Sequence, residues 1–166
     1  MASGALKFTL AVEAADRTHP LVSAAAALAA CHFALARGDY ERAVSTANEL
    51  LAVARQLRIR LFASDTLYYR GKALMEIGRI DEALASLAEA RAEAEALGSC
   101  RTLWQILAAL SPIEAARGDN AEAASLRRQA QEIVEHIADH AGSDELRESF
   151  LNMADVRQVM PMGDFR

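Results

Sequence analysis

The sequence predicts an all-α fold, and three observations predict it. Alanine fills 37 of 166 positions while aromatics make up only 5%. Leucine, arginine and glutamate are abundant and β-branched residues few, a composition of side chains that cost little to hold in a helix. The second observation is a spacing: Gly38, Gly78 and Gly118 fall 40 residues apart, twice. The third is the length of the segments flanking each glycine, such as 21–37 and 40–57, which suits helices of about four to five turns. A chain of 166 residues is enough for one domain with its own core.

Taken in order, the elements follow from that period. Residues 1–19 fit the register of the second helix of an earlier, incomplete repeat, with Leu10 matching Leu50, Ala14 matching Ala54 and Leu21 matching Leu61. Repeat one is expected over 20–58, repeat two over 59–98 and repeat three over 99–140. Five residues beyond each glycine sits an alanine (Ala43, Ala83, Ala123), and seven before it a small residue (Cys31, Gly71, Ser111). The match continues in Ala54, Ala94 and Val134, and in Leu57, Leu97 and Ile137. Each glycine reads as a left-handed helix end, so a repeat is a helix, a short turn and an antiparallel helix. The small residues and the alanines let the two helices approach closely, where a bulky side chain would force them apart.

Two places need separate treatment. Ser111-Pro112-Ile113-Glu114 has the form of a capping box with proline at the first helical position. A helix starting there is too short before Gly118, so one helix kinked near Pro112 is expected. The repeat gives out after His140, and 141–166 reads as a capping helix and a frayed tail. Ser143 suits an N-cap, with Asp144 and Glu145 in the first turn. Leu146, Phe150 and Leu151, then Val156 and Val159, supply an apolar face to cover the last repeat. Pro161 ends the helix.

These residues resemble the tetratricopeptide repeat: a small residue, a glycine-acidic-aromatic turn, then an alanine early in the second helix. Only the first repeat has the full Gly38-Asp39-Tyr40 turn, and Ala27, Leu67 and Leu107 stand where the family has its first aromatic. The resemblance covers roughly residues 20–140. Its period exceeds the family's usual 34 and looks like the longer repeats of large bacterial signalling ATPases and regulators of the maltose-activator type. The resemblance implies an α-α superhelix, a solenoid of three helix pairs plus a leading helix and a C-terminal capping helix. It also implies a cytoplasmic scaffold for signal transduction, the C-terminal part of a larger bacterial protein, that binds proteins and needs no cofactor. The first helices would line a concave groove with Leu28, His32 and Leu35, then Asp65, Tyr68, Tyr69, Lys72, Met75 and Glu76, then Gln105. The lysine, asparagine and arginine clamp of chaperone-binding members has no counterpart except Lys72. Trp104 is expected in the core.

Other function classes are disfavoured by the residues themselves. A net charge of -5 gives no basic footprint for nucleic acid. Cys31 and Cys100, 69 apart, form neither a zinc pattern nor a disulfide framework and read as reduced, buried thiols. Leu28-Ala29-Ala30-Cys31 has the form of a bacterial lipobox, yet Glu13, Asp16 and Arg17 precede it in place of a basic n-region. Its apolar run is also short and alanine-rich for a membrane span, and no membrane association is expected. No nucleophile–base constellation or phosphate-binding loop appears, so no enzyme is expected. The alternative is a small-ligand or metal-binding helical domain using His136 and His140, four apart on one helix face, with Glu132 and Glu135 nearby. The plain reading leaves those histidines exposed and metal-free. A homo-oligomer is also possible, through an apolar flank at the N-terminal end.

Overall fold

A computed structural model of the chain describes residues 20–58 and 60–160. Among the described residues every regular element is a helix, in the order α1 (Pro20–Ala36), α2 (Tyr40–Leu57), α3 (Ala63–Glu76), α4 (Ile80–Leu97), α5 (Cys100–Ala116), α6 (Asn120–Asp139), α7 (Asp144–Leu151) and α8 (Ala154–Val159). The leading helix expected over 1–19 and the tail over 161–166 lie outside the described residues. None of the described helices is long and apolar enough to cross a membrane.

The turn within each pair is the same structure three times. The Gly38 N–H donates to the Leu35 carbonyl at 3.0 Å and the Asp39 N–H to the Ala34 carbonyl at 2.9 Å. Gly78 and Arg79 do the same to Met75 and Leu74, and Gly118 and Asp119 to Ala115 and Glu114. This crossed pair of bonds closes a helix when the glycine is left-handed, and φ is 75°, 80° and 91° in turn. The carbonyl after each glycine then accepts from the next helix, from Ala43 N–H at 3.0 Å, Ala83 N–H at 2.9 Å and Ala123 N–H at 3.0 Å. The turn thus starts the second helix two residues on, at Tyr40, Ile80 and Asn120, and sets the alanine five residues beyond the glycine. The residue after the glycine is free to vary: Asp119 caps the Glu122 N–H at 2.9 Å, while Arg79 instead grips the Glu82 carboxylate with two bonds of 2.6 Å.

The small residue seven before each glycine meets the alanine five after it. Cys31 Sγ donates to the Ala43 carbonyl at 3.4 Å, and Ser111 Oγ to the Ala123 carbonyl at 2.9 Å. A Cβ built on Gly71 would lie 3.5 Å from the Ala83 carbonyl and 2.7 Å from Leu87 Cγ. The bulk at this contact is traded between helices. Repeat two sets glycine against Leu87, while repeat one sets Cys31 against Ala47 at the equivalent place, and all three of Leu87, Cys31 and Ala47 are buried. Burial pushes the Cys31 thiol up to about 11, so it serves as a small packing group. Cys100 departs from the expected burial: it is exposed, flanked by exposed Gly98 and Arg101 at the turn that opens α5.

The chain divides into two compact units within α4, between Ala90 and Arg91. In the first, α1, α2 and α3 pack together around Cys31, Ala34, Ala43, Val44, Ala47, Ala73, Leu74 and Ala83. Arg70 on α3 ties its neighbours by polar bonds, donating to Asn48 Oδ1 on α2 at 3.2 Å and to Ser86 Oγ on α4 at 3.0 Å. Ser86 passes the chain on to the Leu67 carbonyl at 2.8 Å. Burial pulls the Arg70 guanidinium below its usual value, with Glu89 and Glu82 opposing.

In the second unit α5 and α6 pair closely, and α7 and α8 pack on α6. Trp104, Ile106, Leu107, Leu126 and Val134 are buried there. The single helix expected across Pro112 forms, α5 running from Cys100 to Ala116. The capping-box reading fails because the Ser111 hydroxyl is turned to Ala123. The expected N-cap forms, with the Leu146 N–H donating to Ser143 Oγ at 3.2 Å. The single closing helix, however, is two, since α7 stops at Leu151 and α8 begins at Ala154. The change of direction buries Leu151, Val156, Val159 and Met160 and leaves Leu146 at 61% exposure.

Two substitutions test these contacts. Gly71→Ala should lower stability by roughly 1–3 kcal/mol through overpacking, and Leu87→Ala by roughly 2–5 kcal/mol through a cavity. Urea unfolding of the double variant should show a loss smaller than the sum, and strict additivity would remove the proposed contact. Arg58, at φ 54°, holds a left-handed conformation that Gly98, 40 residues on, holds at φ 64°. Arg58→Gly should raise the urea midpoint, worth about 0.5–1 kcal/mol, and a lower midpoint would contradict this account.

Candidate functional site

Cys31 and Gly71 are turned toward the second helix of their pair, and that orientation aims the next residue of each first helix. A step of about 100° round the helix brings His32 on α1 and Lys72 on α3 away from the paired helix. His32 is exposed and Lys72 half-buried. Both stand at the same register position, 40 residues apart.

The two helices contact each other, and four side chains touch in series between them. The His32 ring stacks on Tyr69 with centroids 5.0 Å apart and planes at 6°. Tyr69 lies 5.5 Å from Tyr68 at 49°, and Lys72 Nζ sits 5.7 Å from the centre of the Tyr68 ring. Aromatic pairs of this kind contribute about 0.5–1.5 kcal/mol, and a partly exposed cation over a ring about 0.5–1 kcal/mol. The side chains are therefore ordered without being locked. Tyr69 itself packs on the core cluster of the first unit, as do Leu35 and Met75.

The sequence-predicted groove residues divide by depth. His32 is exposed, and Tyr69, Lys72, Leu35 and Met75 are half-buried, so these offer contact area. Asp65 and Tyr68 are buried, at 4% and 7% exposure, and support the surface from below. Leu28 is half-buried and Glu76 exposed at the C-terminal end of α3. Gln105 lies on α5 in the second unit, half-buried. Sequence reasoning missed Arg70, whose bonds to Asn48 and Ser86 hold α3 between its neighbours. A signal was present, for the equivalent positions in repeats one and three are Ala30 and Leu110. It also missed Phe33, 58% exposed, with the Arg37 guanidinium 5.5 Å from its ring centre.

His136 and His140 do meet, with ring centroids 4.3 Å apart. His140 Nδ1 lies 2.8 Å from the His136 carbonyl oxygen, so that ring offers only Nε2 to a ligand. Among the described residues no group of three or more His, Cys, Asp and Glu side chains is placed to hold a metal ion.

The stack can be checked directly. The His32 ring protons should resonate upfield through the Tyr69 ring current, and Tyr69→Leu should remove the shift without unfolding the chain. Unchanged His32 resonances would show that the rings do not stack in solution. No protein-family model matches this chain, and no curated protein matches it.

Proposed function

We propose that this chain is a non-catalytic protein-interaction module of the tetratricopeptide type, an α-α superhelix whose first helices hold a helix or extended segment of a partner protein. The supporting observation is the surface of His32, Tyr69 and Lys72, seated on buried Tyr68, built on adjoining first helices and backed by a packed core. Tyrosine and methionine, here Tyr69 and half-buried Met75, are among the residue types enriched in interface cores. A partner's apolar side chain would lie over Tyr69 and Met75, and a carboxylate of that partner would pair with Lys72. The ring faces restrict the partner's approach, and Lys72 orients it. In keeping with the resemblance, we place the module in the cytoplasm as the C-terminal part of a larger bacterial signalling protein.

Selection from displayed libraries of helical and extended peptides tests this reading. Selected peptides should lose at least tenfold in affinity, about 1.4 kcal/mol, on His32→Ala, Tyr69→Ala and Lys72→Ala, each with unchanged circular dichroism. They should be indifferent to His136→Ala. Binders unaffected by all three groove variants would overturn the groove. Zinc-dependent thermal stabilisation lost in His136→Ala would favour the ligand-binding alternative.

A further inference from the structure

We draw no further inference here: the strongest candidate, the exposed apolar stripe of α1 formed by Val22, Ala25, Ala29, Phe33 and Ala36, carries nothing because nothing in the structure shows what covers it.

Discussion

The close contact between the two helices of a pair carries the rest of the structure. It is made where a small residue of the first helix meets the carbonyl of an alanine in the second, as Cys31 meets Ala43 and Ser111 meets Ala123. Interiors pack as densely as organic crystals, so a methylene too many at such a point forces neighbouring side chains or backbone to shift. The glycine turn places the alanine, and the alanine admits the partner helix. Gly71 is the limiting case, since Leu87 leaves no room for a Cβ. A hydrogen bond to the alanine carbonyl is used where a polar small side chain is present and omitted where glycine takes its place. Steric closeness is the constant, and the bond is optional.

The candidate site inherits its order from that contact. Once residues 31 and 71 face the second helices, residues 32 and 72 must face elsewhere, and the packing of α1 on α3 brings His32 over Tyr69. Arg70 completes the arrangement from the opposite direction by holding α3 to Asn48 and Ser86. For the partner binding proposed above, an aromatic cluster held on both flanks would reduce the ordering cost. The same geometry leaves the far side of α1 bare, because the stacking that covers α3 has no earlier helix pair among the described residues to cover α1.

Local chemistry accounts for where the fold repeats and where it does not. Ser143 caps α7 as its residue type and the following acids suggest, since an N-cap depends only on neighbours in the chain. Ser111 has the same local signature and does not cap anything, because a carbonyl from another helix competes for its hydroxyl and wins. Pro112 sits inside α5 for the same reason. Packing along the helix outweighs the one backbone bond that proline removes.

Helical class, the three glycine turns, the small-residue contact and the burial of Trp104 were legible in the sequence by itself. Each is set by local propensity or by a period that recurs three times. Tertiary structure alone decided which groove residues touch, which of them sink below the surface, and which cysteine is covered. Tyr68 and Tyr69 are neighbours in the chain with the same side chain, yet one is buried and the other stacks on a histidine 37 positions earlier. It also divided the closing segment into two helices and turned Leu146 outward. Those outcomes depend on the angle at which helices meet, and that angle is a property of the assembled core, not of any one segment within it.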